Sequence, residues 1–363
     1  MDKRLHLLVS ITAHGFGHVA QVAPVVNALR ERLPELDLTV HSSVPLSHLQ
    51  SRIRGPFVYQ REVGDIGMRM SSSMDVRVQE TAEAYQTLHY GWNIKIGNKA
   101  RALKEIAPDF VLCNVSYLPL AGARMAGIPC AAMCSLNWAD IYAHYCGGFS
   151  GARHVIEHIA QAYAHADAFL QPAPSMPMTG LNNRIPLGPV AETGINRRTE
   201  IDRVLNLTGE EKLVLVSLGG ESGRLPVDDW PRIPGVRWLV AANWNVRHPD
   251  AILLESLEMD FRDVLASCDA LVCKPGYGSF VEAACNGVPV LFVSRDDWPE
   301  TAYLKRWLHA NAHGVEISRS RLESGKFGEE LLSLWSRPAF TPVKPDGVDQ
   351  AVDWLSGRLL GRS

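Results

Sequence analysis

Two glycine-rich turns carry most of the residues in this chain that could do chemistry. One is Lys274-Pro275-Gly276-Tyr277-Gly278-Ser279, with Glu282 three residues further on. Glycines let backbone amides come close to a phosphate, and a helix starting there adds unpaired donors and a partial positive charge. Lys274 and the Ser279 hydroxyl can add side-chain contacts. Glu282, expected in the first turn of that helix, can accept from two vicinal ribose hydroxyls. An acid favouring the helix dipole would explain its place equally well.

The other turn is Ala13-His14-Gly15-Phe16-Gly17-His18. Histidine titrates near working pH, so it can take a proton from a hydroxyl nucleophile. His18 is expected at a helix start, where the dipole disfavours a charged ring and keeps it able to accept. His14, nearer the preceding strand, is expected to orient an acceptor or meet a diphosphate. A tight turn with packed histidines is the bland alternative. The carboxyl edge of a parallel strand, where ligands gather, favours function. Gly15 to Ala20 also fits the G-x-G-x-x-A dinucleotide fingerprint. That motif needs an acid at the end of the second strand, and here the residues are His41-Ser42-Ser43, so a nicotinamide cofactor is disfavoured.

Other matches are weaker. His154-Val155-Ile156-Glu157-His158 fits the H-x-x-E-H zinc pattern but lies in an ordinary amphipathic stretch, so a surface helix is expected. His309 and His313 are one helical turn apart and also need no metal. There is no Asp-x-Asp, no G-x-S-x-G elbow and no Walker loop in the sequence. No metal site is expected.

These turns need strands and helices to hold them. Leu5 to Ile11 is an apolar run of the kind buried on both faces of a parallel sheet. A helix from Val19 to Leu33 and a strand from Leu38 to His41 complete a βαβ unit. Phe110–Cys113 and Cys130–Cys134 are further strands, flanking a helical Leu118–Ala126, and Phe169–Gln171 is expected to be the last strand of this half. Pro172 to Pro189 looks like an inter-domain connection. The βα pattern restarts with strands at Leu213–Ser217, Trp238–Ala242, Ala270–Cys273 and Val288–Val293. A helix is expected from Phe280 to Asn286, and a terminal one from Val348 to Leu360.

The 363 residues exceed what one core usually serves, so two domains are the prior. A net charge of −3 gives no reason to expect nucleic acid. No apolar run is long enough to span a membrane, although peripheral contact stays open. The N-terminal apolar run reads as a strand rather than a signal peptide. Seven scattered cysteines suit reduced thiols in a cytoplasmic protein.

Cys273 to Val293 resembles the donor-nucleotide motif of GT-B glycosyltransferases, in particular the peptidoglycan N-acetylglucosaminyltransferases. The resemblance assigns phosphate and ribose roles to Gly276, Ser279 and Glu282. It makes Ser217-Leu218-Gly219-Gly220 a second phosphate-side turn, and Gly17-His18 the N-terminal Gly-His. Thr12 to His18, Asp65-Ile66-Gly67 with Asp75, Leu136 to Ala143 and Lys274 to Gly278 resemble the GT-B-like region that precedes the kinase in plant L-arabinokinases. No kinase half follows these motifs in this sequence. On resemblance, Asp140 is the carboxylate that would orient His18. Of the acids after the Val288–Val293 strand, Glu300, and less so Asp296, would meet the donor sugar.

The resemblance implies two Rossmann-like parallel-sheet domains facing each other across a cleft. Residues 1–190 would bind the acceptor, 191–345 the nucleotide-sugar, and 346–363 would pack back on the first domain. It implies glycosyl transfer from a nucleotide-sugar, a UDP-sugar among the candidates, to an unidentified acceptor, with no obligatory metal or other cofactor. The alternatives are an epimerase or hydrolase of the same architecture, or a binding module without turnover.

Overall fold

A computed structural model describes residues 4–72, 74–218 and 224–361. The chain divides into two compact units. One comprises Met1–Ser71, Asp75–Val190 and Asp346–Ser363, and the other Ser72–Met74 and Ala191–Pro345.

The first unit is built on a seven-stranded sheet. Its strands are β1 (His6–Ile11), β2 (Asp37–Ser42), β3 (Val58–Arg61), β4 (Phe110–Asn114), β5 (Cys130–Met133), β6 (Ala168–Pro172) and β7 (Arg184–Leu187). They run in the order β3-β2-β1-β4-β5-β6-β7, and every pairing is parallel. The central strands are covered on both faces, so they are almost wholly apolar: Leu7, Leu8 and Val9 have no exposed surface. The helix Gly17–Arg32 follows β1. The terminal helix Gly347–Leu359 lies against it and adds Ala351, Val352 and Leu355 to the same core.

The last strand of this unit is β7, not Phe169–Gln171 as its apolar run suggested. It falls within the stretch read as a connection. It is short, only partly buried and contains Pro186. An edge strand tolerates a proline because one side makes no ladder bonds, and composition alone hides such a strand.

The second unit carries β8 (Lys212–Ser217), β9 (Val236–Val240), β10 (Ala251–Leu253), β11 (Ala270–Cys273), β12 (Val290–Val293) and β13 (Gly314–Ile317). They form a parallel sheet in the order β10-β9-β8-β11-β12-β13. Apolar clusters cover both faces, one around Leu215 and Phe280 and the other around Trp238 and Phe327.

Each sheet has one place where the winding reverses, between β1 and β4 and between β8 and β11. In open parallel sheets that reversal leaves a crevice at the carboxyl ends of the strands. The two glycine turns follow β1 and β11.

Candidate active site and nucleotide site

In the first unit, β1 ends at Ile11 beside the end of β4, and the Thr12 amide donates to the Asn114 carbonyl at 2.8 Å. The turn needs Gly15 in the left-handed region, at φ +79°. The helix then begins at Gly17, two residues before the expected start, so His18 is its second residue.

His18 is 5% exposed. Its Nδ1 lies 2.8 Å from Asn114 Oδ1. The Asn114 amide nitrogen donates to the Met133 carbonyl at 2.7 Å and to Gln21 Oε1 at 3.2 Å. A carbonyl can only accept, so the carboxamide is fixed with its oxygen toward His18. His18 therefore carries its proton on Nδ1 and presents a lone pair on Nε2. Among the described residues no group hydrogen-bonds Nε2. Burial pushes the imidazole down to about 4, against the opposing hydrogen bond from Asn114, so the ring is neutral at pH 7.

Asp140 does not occupy the place at His18 that resemblance gave it. It sits in the first turn of the helix Trp138–Cys146, where its amide donates to Asn137 Oδ1 and its carboxylate accepts from Asn137 Nδ2, each at 2.8 Å. This reciprocal pairing caps the helix, and the side-chain amide of Asn114 stands at Nδ1 of His18 instead.

His14 is half-buried, and its Nδ1 accepts from the Met68 amide at 3.3 Å. Its ring lies edge-on to Trp138 with centroids 5.2 Å apart, and His18 lies 5.8 Å from the same indole. Trp138 Nε1 donates to Asp65 Oδ2 at 3.3 Å, and the Thr12 hydroxyl donates to Asp65 Oδ1 at 2.7 Å. Burial raises the Asp65 carboxyl to about 6, although the hydrogen bonds it accepts, that from Thr12 first, pull the other way. Three segments far apart in sequence thus meet at the end of β1: the turn after β1, residues 65–68, and the start of the Trp138–Cys146 helix.

Sequence reasoning gave no role to Asn114, Gln21 or Trp138, and placed Asp65 only within a motif. One signal was readable. Asn114 is a polar residue ending the otherwise apolar strand Phe110-Val111-Leu112-Cys113.

In the second unit, Cys273 at the end of β11 pairs in register with Ser217 at the end of β8, so the two turns start side by side. Gly219 and Gly220 lie outside the described residues. The helix after β11 runs from Tyr277 to Cys285, with Gly276 at its N-cap and no side-chain cap bond. Its own ladder begins with the Phe280 amide donating to the Gly276 carbonyl. Among the described residues, a Cβ at Gly276 would meet nothing within 4 Å.

Lys274 is half-buried and Pro275 buried beside it. Tyr277 is packed into the core and Gly278 is buried. The Ser279 hydroxyl hydrogen-bonds the Cys273 thiol. Glu282 is buried at 8% exposure, but in the second turn rather than the first, because the helix starts at Tyr277 and not Phe280. The dipole acts within the first turn, so it does not account for an acid at this position. Glu300 is buried at the N-cap of the helix Thr301–Asn311 and accepts from Trp298 Nε1 at 3.4 Å. Asp296 is exposed and meets Lys305 at 3.4 Å.

The H-x-x-E-H segment lies in the helix Ala152–Ala164. His154 is exposed, Glu157 pairs with Arg153, and His158 stacks on His89 with centroids 5.3 Å apart. His313 falls beyond the Thr301–Asn311 helix and approaches the Pro338 carbonyl. Among the described residues, no three histidines, cysteines or acids are grouped to hold a metal, and no helix is long and apolar enough to cross a membrane.

Comparison of the whole chain with solved structures gives full-length matches. A glycosyltransferase of kitacinnamycin aligns with TM-score 0.60 at 14% identity, covering 99% of this chain and 96% of that one. The fold is GT-B. The calicheamicin glycosyltransferase CalG4 is similar at TM-score 0.59, 16% identity and coverage of 100% and 95%. The UDP-bound MnaA of S. aureus follows at TM-score 0.56, 11% identity and coverage of 99% and 98%. In sequence, the chain is 26% identical over 366 residues to an L-arabinokinase of Arabidopsis thaliana. The match takes in 99% of this chain and 35% of that protein's length. No family model matches.

Proposed function

We propose that this protein is a nucleotide-sugar-dependent glycosyltransferase. In this reading it moves a glycosyl group to an as yet unidentified acceptor, without an obligatory metal. The observation that carries the reading is the start of the Tyr277–Cys285 helix beside the end of β8, with a glycine at its N-cap and no described residue within 4 Å of where a Gly276 side chain would stand. Amides at such an end favour a diphosphate, and they would stabilise it as a leaving group. Lys274, Gly276, Gly278 and Ser279 would surround the phosphates, and Glu282 would accept from the ribose. Ser217 would lie on the phosphate side, and Glu300 would meet the donor sugar. In the first unit His18, through Nε2, would take the acceptor's proton, and His14 would orient the acceptor.

The base is open, but the UDP in the S. aureus MnaA structure makes uridine diphosphate the first choice. A cytoplasmic setting suits seven buried cysteines without a disulfide. The test is a thermal-shift screen of nucleoside diphosphates and their sugars, followed by product analysis. A ligand at a hundred times its Kd adds about 2.7 kcal/mol, enough to be seen. Stabilisation by a nucleotide-sugar, followed by acceptor-dependent release of the diphosphate, is the expected result.

A second reading has its own support. UDP-N-acetylglucosamine 2-epimerase structures align over nearly the whole chain, one of them with TM-score 0.52. An epimerase or hydrolase would convert the donor with no acceptor present. A binding module would hold it unchanged.

A further inference from the structure

Base catalysis by histidine is usually supported by a carboxylate that stabilises the imidazolium as it forms. The first unit does not supply one to His18. Its Nδ1 faces the neutral oxygen of Asn114, and that carboxamide cannot turn over while its nitrogen is committed to the Met133 carbonyl. The other groups facing the ring are Cys134, whose sulfur is 3.8 Å from Nδ1, the indole of Trp138, and the ring of His14 at 6.4 Å. The Asp65 carboxylate meets Thr12 and Trp138. Among the described residues no carboxylate hydrogen-bonds His18. The ring is also buried, and it is the second residue of a helix, where the dipole opposes positive charge.

Nε2 is therefore well placed to accept a hydrogen bond and poorly placed to hold a whole proton. Resting on the transferase reading, we propose that Asn114 is a specificity-determining positioning residue. By keeping a neutral oxygen at His18 Nδ1, it restricts the acceptor to hydroxyls that are themselves acidic, phenolic or enolic ones rather than aliphatic ones. In the transfer, the acceptor oxygen bonds the anomeric carbon while the bond from that carbon to the diphosphate oxygen breaks. The electron pair leaves with the diphosphate. The acceptor's proton passes to Nε2 and then to solvent. An acidic hydroxyl lies closer in acidity to a weakly basic Nε2, so sharing its proton with that nitrogen as the carbon–oxygen bond forms costs less. An aliphatic hydroxyl requires full transfer to a ring without a counter-charge.

The experiment has two arms. In the first, nitrogen-15 NMR of the full chain follows His18 as pH is lowered, in the wild type and in Asn114→Asp. The wild type should show the Nδ1–H tautomer and a midpoint well below the ordinary histidine value. Asn114→Asp should raise that midpoint by about one unit or more. An Nε2–H tautomer in the wild type, or equal midpoints in the two proteins, overturns the proposal. In the second arm, UDP-glucose is offered with 4-nitrophenol, phenol and 2-phenylethanol. Wild-type kcat/KM should favour 4-nitrophenol over 2-phenylethanol by about a hundredfold or more, and Asn114→Asp should narrow that gap about tenfold, mainly through kcat. Transfer without preference overturns the proposal and leaves the transferase reading standing. No transfer by either protein to any of the three, with the donor bound, overturns the transferase reading and the acceptor assignment with it.

Discussion

Asp65 holds the indole of Trp138 through a 3.3 Å hydrogen bond to Nε1, and that indole stands against both His14 and His18. Protonation of Asp65 is therefore expected to act on the two histidines through Trp138. The carboxyl titrates at about 6 because it is buried. A pH profile of kcat/KM should show a shallow inflection near that value. Asp65→Asn keeps the shape and removes the titration, so the inflection should vanish with the profile otherwise retained. An unchanged inflection in Asp65→Asn would assign it to another group.

Folding stability should fall on mild acidification. Burial lowers His18 and His41 to about 4 and His89 to about 3. The unfolded chain, with ordinary histidines near 6.5, then binds more protons than the folded one between 6.5 and these values, so stability is lost as pH drops through that window. Asp65 acts in the opposite sense. Its folded value is raised, so between about 6 and 3.8 the folded state binds more protons. Three histidines outweigh one carboxyl. His18 alone amounts to ~2 kcal/mol at pH 5. Urea midpoints at pH 7 and pH 5 measure this, and a higher midpoint at pH 5 would contradict it.

His18→Ala should lower kcat by roughly 10²–10⁴ and leave nucleotide affinity nearly unchanged. Turnover comparable to the wild type would remove His18 from the base role and would leave the proposed nucleotide site untouched. The wild-type acid limb should lie near pH 4, not pH 6.5, because the ring is desolvated.

Turnover should also survive EDTA. The sequence has no Asp-x-Asp to hold a metal-bound diphosphate. The amides ahead of Phe280, with Lys274, would meet that charge instead. Complete loss on chelation, restored by Mg²⁺ or Mn²⁺, would show that the leaving group is handled differently.

The GT-B architecture was legible because both halves repeat the same pattern, a buried apolar strand, a glycine turn and a helix. The turn after β1 was legible for the same reason. Its surroundings were not, because tertiary packing makes them. A Cβ on Gly67 would stand 2.8 Å from that of His14, and one on Gly64 would stand 2.8 Å from that of Ser116. These two glycines let residues 62–68 lie close against the ends of β1 and β4 and bring Asp65 to Thr12. Nothing in local propensity signals such a contact between residues 53 positions apart. Glu282 was misplaced by one turn because Tyr277 and Gly278, weak helix formers, begin the helix.

The central claim is that a nucleoside diphosphate binds at the start of the Tyr277–Cys285 helix. Gly276 allows the most direct test. Its backbone is extended, at φ −168° and ψ 146°, and among the described residues a methyl group there would touch no atom. Gly276→Ala should therefore fold with the wild-type Tm, yet crowd a bound phosphate. Titration calorimetry with UDP should show affinity reduced about tenfold or more in Gly276→Ala, and similarly in Glu282→Ala, where a charged hydrogen bond worth roughly 1.5–3 kcal/mol is lost. UDP binding of equal strength to the wild type and both folded variants would contradict the account.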